Sequence, residues 1–278
     1  MQVNEAYNHC KEVIEYHSKT FAKAFQHLPK KKRQAVWAVY AFCRQADDIV
    51  DEGFDREREL QLFKYHLDEF ANDRQIEPSF LWIALKDAFT HFDFDLEPFY
   101  EMISGQEMDL KKTRYESVEE MIHYSYHVAS TVGLMLLPIL SPKNQEELKE
   151  SAIALGYAMQ ITNILRDIGE DLERDRIYLP KQLMDKYNYT IPMLENGVVN
   201  DSFVDLWEDL AQRAEDYYDI GLSKMYLYPV NARIPVKAAA HFYKGILNSV
   251  RANRYDVFEK RAFVSNEEKK EILSAIEK

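Results

Sequence analysis

The segment Tyr40-Ala-Phe-Cys-Arg-Gln-Ala-Asp-Asp-Ile-Val-Asp51 lies in a run of residues with helical periodicity that starts at about Lys30. On a helix with about 3.6 residues per turn, mainly apolar side chains cover most of the surface. One face is different and carries a polar stripe, which consists of Tyr40, Arg44, Asp47 and Asp51. Carboxylates four residues apart repel each other and destabilise a helix by roughly 0.2–0.5 kcal/mol. We therefore expect a positive group to offset this repulsion.

A second polar stripe of the same design follows about 120 residues later. It lies in Gly156-Tyr-Ala-Met-Gln-Ile-Thr-Asn-Ile-Leu-Arg-Asp-Ile-Gly-Glu-Asp171, within a long predicted helix, Glu146–Asp171. Spacings of three and four residues place its polar members on one face: Gln160, Asn163, Asp167 and Asp171. Each stripe therefore combines a D-x-x-x-D pair with a nearby arginine, Arg44 in the first and Arg166 in the second.

The ligand types in the two stripes indicate which metal they could hold. If the stripes faced each other in a helical bundle, their carboxylates would converge and the pKa values of some would rise steeply. Divalent cations relieve such repulsion, and Asp carboxylates with an Asn carbonyl favour Mg²⁺ that retains waters and substrate phosphates. The stripes contain no Glu-x-x-His pair, which disfavours a di-iron centre, and the chain has no Gly-rich phosphate loop.

Composition limits the classes of function. The 278-residue chain has a formal net charge of −12, which argues against nucleic-acid binding, and only 8 Gly and 9 Pro, which argue against a turn-rich β fold. Its 18 Tyr, 15 Phe and 3 Trp would suit either the lining of a long apolar cavity or a large aromatic core.

Cys10 and Cys43 lack metal or redox spacing and are interpreted as free thiols in a reducing cytoplasm. The N-terminus does not resemble a signal peptide, and the longest strongly apolar run, Val132–Leu140, is too short to span a bilayer. We therefore expect a cytoplasmic protein, or one that is peripheral at a membrane.

Apolar periodicity predicts helices along nearly the whole chain. No segment alternates like a strand between turn residues, and no low-complexity linker divides the chain. We predict an all-α fold with a single domain, residues 1–278. The predicted helices are Tyr7–Phe25, Lys30–Asp51, Arg56–Ala71, Pro78–Phe92, Glu97–Leu110, Ser117–Leu137, Glu146–Asp171, Ser202–Tyr226, Pro235–Tyr255 and a final helix that Asn266 caps.

Four stretches of the chain resemble the sequence of a known protein family. They are His17-Ser-Lys-Thr-Phe21, the segment 40–51, Val128-Ala-Ser-Thr-Val-Gly133, and 160–180, which ends in Arg-Asp-Ile-Gly-Glu-Asp-Leu-Glu-Arg-Asp-Arg-Ile-Tyr-Leu-Pro. In order and spacing they resemble the squalene/phytoene synthase family of head-to-head prenyl transferases. The resemblance implies an isoprenoid-synthase helical bundle around a central apolar cavity. It also implies two prenyl diphosphates bound through Mg²⁺, with two or three ions per active site.

The resemblance also assigns roles to individual residues. The implied metal ligands are Asp47, Asp51, Asn163, Asp167 and Asp171, with Asp48 a weaker candidate. The implied substrate-binding residues are His17, Ser18, Lys19, Thr20, Tyr40, Arg44, Gln160, Arg166, Tyr243 and Arg261. The implied catalytic residues are Tyr40, Arg44, Tyr126 and Arg166. Arginines and Mg²⁺ would neutralise the leaving diphosphate, while the rings of Tyr40 and Tyr126 would stabilise an allylic cation.

Within the family, the chain resembles in length and sequence the bacterial enzymes that make dehydrosqualene for carotenoid biosynthesis. Those enzymes join two farnesyl diphosphates through a cyclopropylcarbinyl diphosphate, without NADPH. A phytoene synthase using geranylgeranyl diphosphate and an NADPH-dependent squalene synthase remain alternatives. An inactive paralogue that acts as an assembly partner is disfavoured, because the aspartates are intact. The residues leave open the final base, either released diphosphate or a Tyr hydroxyl. Membrane contact is considered only as a transient step in product release, and the oligomeric state is left open.

Overall fold

The computed structural model describes residues 1–74 and 77–276, and these residues form an all-α fold. Among them no strand is present, and the one β-bridge joins Arg114 to Ile177. The all-α prediction is confirmed, whereas a single domain over residues 1–278 remains a prediction that extends beyond the described residues. The helices are α1 (Val3–His17), α2 (Lys19–Phe25), α3 (Lys30–Glu52), α4 (Arg56–Ala71), α5 (Phe80–His91), α6 (Glu97–Lys111), α7 (Val118–Ser125), α8 (Thr131–Leu140), α9 (Gln145–Arg166), α10 (Ile168–Glu173), α11 (Lys181–Lys186), α12 (Ile191–Glu195), α13 (Asp201–Leu222), α14 (Val230–Ala252) and α15 (Asn266–Ile276).

Helix α3 lies at the centre of one half of the fold and packs against α1, α4, α5, α6 and α8. Its apolar side chains are buried, with Val39 and Phe42 fully inaccessible to solvent. The helix ends at Gly53, whose backbone N–H donates to the carbonyl oxygen of Ile49 at 3.1 Å. The predicted bounds, Lys30–Asp51, therefore differ from the observed ones by one residue.

Helix α9 lies at the centre of the other half of the fold and packs against α8, α13 and α14. Two polar contacts from α13 reinforce the apolar packing. The indole N–H of Trp207 donates to the backbone oxygen of Leu165 at 3.1 Å, and the Tyr218 and Thr162 hydroxyls lie 3.0 Å apart. Trp207 and Tyr218 are fully buried, so these hydrogen bonds satisfy polar groups that would otherwise destabilise the core.

The predicted helix Tyr7–Phe25 is in fact two helices that meet at Ser18. Ser18 leaves the helical region, with φ −141° and ψ 81°. Its N–H donates to the backbone oxygen of Ile14 at 2.9 Å and ends α1, while its hydroxyl accepts from the Phe21 N–H at 3.3 Å and starts α2. The apolar periodicity continues through this break, which explains why the pattern alone predicts one helix. Ser favours such a position because its side chain can cap a helix.

The predicted helix Ser117–Leu137 contains a π-helical turn, Tyr126–Ser130, between α7 and α8. This turn packs against α9 at a close backbone contact. A Cβ atom on Gly156 would lie 2.3 Å from the Ser130 Cα, so the contact requires glycine. The Ser130 hydroxyl donates to the backbone oxygen of Ile153 at 2.8 Å and holds the two elements together.

The predicted helix Glu146–Asp171 is interrupted at Asp167, where α9 ends and α10 begins. The interruption follows from a contact distant in sequence, because the Gly169 N–H donates to the backbone oxygen of Val257 at 3.3 Å. A Cβ on Gly169 would lie 2.8 Å from that oxygen, so glycine permits the approach. The chain therefore turns within the second stripe.

The remaining differences concern the ends of helices. The helix predicted as Ser202–Tyr226 ends at Leu222, and the one predicted as Pro235–Tyr255 spans Val230–Ala252. The poorly patterned segment before α13 holds the short helices α11 and α12. Among the described residues, no helix combines the length and apolar composition that crossing a bilayer requires.

Asp209 on α13 ties the end of α11 to the bundle. Its carboxylate accepts hydrogen bonds from Lys186 Nζ at 2.7 Å, from the Tyr187 hydroxyl at 2.8 Å and from Arg213 Nε at 2.8 Å. Burial by itself would raise the pKa of Asp209, but these hydrogen bonds outweigh it and lower the pKa to about 2. Since the folded pKa lies below the ordinary value, the stabilisation is present above about pH 4 and is lost as the pH falls towards 2.

We expect Asp209→Asn to lower the free energy of unfolding by about 1–2 kcal/mol at pH 7, and by about half as much near pH 3. Urea denaturation at both pH values measures this difference. Asp205→Asn is the control, since Asp205 is exposed on the same helix and forms no ion pair with any described residue. Equal stability of the two variants at pH 7 would contradict the assigned role of Asp209.

Candidate active site

A cavity of about 290 Å³ lies between α2, α3, α6, α8, α9 and α14. One end carries charged and amide side chains, and the other end is apolar. The polar end is lined by Tyr40, Arg44, Asp47, Gln106, Tyr124, Gln160, Asn163 and Tyr243. The remainder of the wall is formed mainly by Phe21, Phe25, Cys43, Met102, Val128, Ala129, Val132, Gly133, Leu136, Leu140, Ala152, Leu155, Gly156, Met159, Tyr228, Val236 and Ala239.

Some aromatic residues line the cavity and others fill the core, so both interpretations of the aromatic-rich composition apply. Six of them line the cavity, among them Phe21, whose ring lies 5.6 Å from that of Tyr243 in an edge-on arrangement. Others, including Phe42, Phe99 and Trp207, are fully buried in the core. Cys10 and Cys43 are buried free thiols.

Arg44 supplies the positive charge that the first stripe requires. Its Nη1 lies 3.0 Å from Asp47 Oδ2, and its Nη2 pairs with the Asp48 carboxylate. Asp47 faces the cavity, and burial, followed by the nearby charge of Asp51, raises the pKa of Asp47 to about 7. Asp48 thus lies beside the stripe and pairs with its arginine.

Asp51 is held by two arginines that the sequence analysis did not single out. Arg174 Nη1 lies 2.7 Å from its Oδ2, and Arg176 Nη1 lies 2.6 Å from its Oδ1. Both arginines follow α10, so the segment after the second stripe covers the carboxylate that ends the first stripe. The segment after the second stripe therefore contacts the first stripe through ion pairs, whereas the expected convergence of carboxylates is not seen among the described residues.

The second stripe contains one paired carboxylate, Asp167, and one without a side-chain partner among the described residues, Asp171. Asp167 accepts from Arg166 Nε at 2.7 Å and from Arg261 Nη2 at 3.3 Å. Asp171 has no side-chain hydrogen bond with the described residues. Burial, followed by the charges of Asp167 and Glu170, raises the pKa of Asp171 to about 8.

Gln160 and Asn163 lie on the cavity side of α9. The Asn163 amide nitrogen donates to Gln160 Oε1 at 3.4 Å, whereas its Oδ1 is buried without a hydrogen-bond partner among the described residues. A buried acceptor without a donor is costly, which favours a function at this position.

The other substrate-binding candidates lie around the cavity but do not all line it. His17 ends α1, Ser18 caps α2, and Lys19 and Thr20 begin α2, directly before the cavity-lining Phe21. Arg261 is about 60% exposed and reaches Asp167 from the segment before α15. Tyr40 and Tyr243 both line the cavity.

The structure places Tyr124, rather than the expected Tyr126, in the cavity wall. The Tyr126 hydroxyl instead donates to Glu101 Oε2 on α6 at 2.9 Å. The Tyr124 hydroxyl donates to Asp109 Oδ2 at 2.8 Å. Tyr126 begins the π-helical turn, from which Val128 and Ala129 line the cavity, and the local sequence does not predict that turn.

The candidate metal ligands have donor atoms that suit a hard cation. All five are oxygen donors, and burial followed by neighbouring carboxylates raises the pKa values of Asp47 and Asp171. As the described residues stand, no three of their His, Cys, Asp or Glu side chains converge on one metal position. Asp51 and Asp167 are instead paired with arginines.

Comparisons with known proteins are consistent with this site. A sequence model of the squalene/phytoene synthase family matches residues 14–268. Three relatives cover most of the chain: a phytoene synthase of Arthrospira platensis is 38% identical over 94% of this chain and 89% of its own. The farnesyl diphosphate phosphatase YisP of Bacillus subtilis is 35% identical over 99% of both chains. A 4,4'-diapophytoene synthase of Staphylococcus haemolyticus is 35% identical over 99% of this chain and 98% of its own.

The three-dimensional fold is also similar to a solved structure. The crystal structure of a dehydrosqualene synthase in complex with a ligand superposes with a TM-score of 0.95 and 36% sequence identity. The match covers 99% of this chain and 96% of the other. The helical-bundle architecture implied by the sequence is thereby confirmed.

Proposed function

Because the chain belongs to the squalene/phytoene synthase family, we propose that it joins two farnesyl diphosphates head to head to form dehydrosqualene for carotenoid biosynthesis. The reaction would pass through a cyclopropylcarbinyl diphosphate and use no NADPH. One observation carries the proposal: an apolar cavity whose polar end is lined by Arg44 and Asp47 of the first stripe and by Gln160 and Asn163 of the second. Such a cavity can hold a prenyl chain inside and its diphosphate at the polar end.

At the polar end, the arginines bind the diphosphate groups. Arg44 and Arg166 are largely buried beside the stripes, and Arg261 reaches the same place from the surface. Their charge stabilises the negative charge that develops on the leaving group. When bound by Asp47, Asp51, Asn163, Asp167 and Asp171, Mg²⁺ supplies further positive charge for this purpose.

The wall of the cavity controls the fate of the cation. Tyr40, Tyr124 and Tyr243 place aromatic rings at the polar end, where an allylic cation would form. A ring face stabilises a cation by roughly 0.5–2 kcal/mol without reacting with it. The apolar residues beyond them exclude water, which would otherwise convert the cation to an alcohol.

The depth of the cavity supports a prenyl chain of limited length. From Asn163 at the polar end to Ala152 at the apolar end, α9 advances by eleven residues, or about 16 Å. Leu140, Tyr228 and Val236 also line the cavity, away from the polar side chains. The loop that carries Tyr228 is held there, because Asn144 Nδ2 donates to the Leu227 oxygen at 2.6 Å.

Product analysis tests the proposed function directly. Purified protein with farnesyl diphosphate and Mg²⁺ should form a thirty-carbon hydrocarbon without NADPH. Squalene that forms only with NADPH would contradict the proposal. A forty-carbon product, with geranylgeranyl diphosphate preferred over farnesyl diphosphate in competition, would identify a phytoene synthase, as the relative from Arthrospira platensis suggests.

Tyr228 should limit the length of chain that the cavity accepts. We expect Tyr228→Ala to raise kcat/KM for geranylgeranyl diphosphate relative to farnesyl diphosphate by roughly tenfold or more, since it removes a ring from the cavity wall. Tyr228→Phe keeps the ring and should preserve the preference. If Tyr228→Ala does not fold, Tyr228→Leu serves the same purpose. An unchanged preference in the shortened variant would show that other residues set the chain length.

Hydrolysis of farnesyl diphosphate is the second candidate function. The similarity to YisP, which extends over 99% of both chains, favours it. The same arginines would bind the diphosphate, but water would have to reach the cation. Farnesol without hydrocarbon, in the assay above, would identify this activity.

A further inference from the structure

A buried carboxylate behind the cavity wall has no role in the function described so far. Asp109 on α6 is 8% exposed and accepts two phenol hydrogen bonds. The Tyr124 hydroxyl donates to its Oδ2 at 2.8 Å, and the Tyr178 hydroxyl donates to its Oδ1 at 2.9 Å. Each carboxylate oxygen thus receives one tyrosine, and among the described residues neither oxygen forms a contact ion pair.

The two tyrosines connect this carboxylate to different parts of the site. Tyr124 lines the cavity beside Arg44 and Asp47. Tyr178 belongs to the segment after α10, two residues beyond Arg176, which holds Asp51. The two rings stack with centroids 5.1 Å apart and an interplanar angle of 20°. Asp109 therefore lies where the cavity wall and the segment that covers the first stripe meet.

The hydrogen bond to Asp109 determines what Tyr124 can offer a cation. Its hydroxyl proton points away from the cavity, towards the carboxylate. A phenol that donates to an anionic acceptor is polarised towards phenolate, and such charge-assisted bonds are strong in a buried environment. The ring and the oxygen lone pairs of Tyr124 consequently carry more negative charge on the side where a carbocation would form.

We propose that Asp109 is a positioning residue that acts through Tyr124, by holding the phenol so that its ring and oxygen lone pairs stabilise positive charge in the cavity. The proposal rests on the proposed function. Tyr178 shares the carboxylate and aligns it, but Tyr124 alone transmits the effect to the cavity. No proton leaves Asp109 or Tyr124 in this role.

The test combines single and double substitutions with a separation of kcat from KM. Asp109→Asn keeps the size of the side chain but removes its charge and one of its two acceptors. We expect kcat for loss of diphosphate from farnesyl diphosphate to fall by about tenfold to a hundredfold, the size expected when a charge-assisted hydrogen bond is lost. KM should change by less than about twofold, because Asp109 does not touch the diphosphate site.

Three further variants make the test specific. Tyr124→Phe should lower kcat similarly, and adding Asp109→Asn to it should cause no further loss, because the partner is already absent. Tyr178→Phe keeps the bond between Tyr124 and Asp109 and should retain at least about a third of kcat. Asp109→Glu keeps the charge, and provides a second variant should Asp109→Asn fail to fold. A substantial recovery of kcat in Asp109→Glu, relative to Asp109→Asn, would support the role of the charge.

Two results would overturn the proposal. One is a wild-type kcat in folded Asp109→Asn, and the other is equal loss from Asp109→Asn in the wild-type and Tyr124→Phe backgrounds. Measuring loss of the diphosphate group separates this question from the identity of the product. Wild-type protein that consumes farnesyl diphosphate without forming hydrocarbon contradicts only the proposed function, whereas protein that consumes none contradicts both.

Discussion

Asp47→Asn and Asp171→Asn should each reduce turnover by roughly 10²-fold or more, while leaving thermal stability equal or slightly higher. The loss of activity follows because each substitution removes a carboxylate from the set that would bind Mg²⁺ and the diphosphate. The gain in stability follows from the raised pKa values, about 7 for Asp47 and about 8 for Asp171. A carboxyl group with a folded pKa above its ordinary value opposes folding once the pH exceeds that ordinary value, so a neutral amide relieves the cost at pH 7.

The measurement pairs product formation from farnesyl diphosphate with thermal denaturation in the absence of divalent cations. Asp205→Asn, an exposed carboxylate on α13, is the matched control and should retain full activity. If the variants at positions 47 and 171 both unfold, the aspartates are structural. If they stay folded and fully active, the stripes have no part in turnover.

Gly156→Ala should lower the free energy of unfolding by about 3 kcal/mol or more, a large effect for the addition of one methyl group. The new Cβ would lie 2.3 Å from the Cα and 2.5 Å from the N of Ser130, which are backbone atoms and cannot move aside alone. Either α9 or the π-helical turn must shift, and both line the cavity. The better intrinsic helix propensity of alanine, worth about 1 kcal/mol, does not compensate.

Gly245→Ala on α14 provides the control for this prediction. Its Cβ would meet only side-chain atoms, Val264 Cγ2 at 3.0 Å and Ile272 Cδ1 at 3.7 Å, so these neighbours can adjust. We expect a change in unfolding free energy of no more than about 1 kcal/mol, measured by urea denaturation beside Gly156→Ala. Equal stability of both variants and the wild type would show that α9 and the π-helical turn can separate at little cost.

The sequence by itself determined the fold class and the two polar stripes. Helix periodicity is a local property, so it predicts α3 to within one residue and α4, Arg56–Ala71, without error. It also places Tyr40, Arg44 and Asp47 on one face, and the structure brings that face to the cavity. The family followed from four stretches of sequence, and the comparisons confirm it.

The tertiary structure alone decided where the helices break and which side chains meet. The interruption at Asp167 follows from the bond between Gly169 N–H and the Val257 oxygen, and the pairing of Asp51 with Arg176 joins residues 125 positions apart. Tyr124 lines the cavity, whereas Tyr126 begins a π-helical turn and its hydroxyl donates to Glu101 on α6. Each of these features depends on a contact between segments distant in the sequence. Local periodicity predicts which face of its own helix a residue occupies, but it does not predict which segment packs against that face.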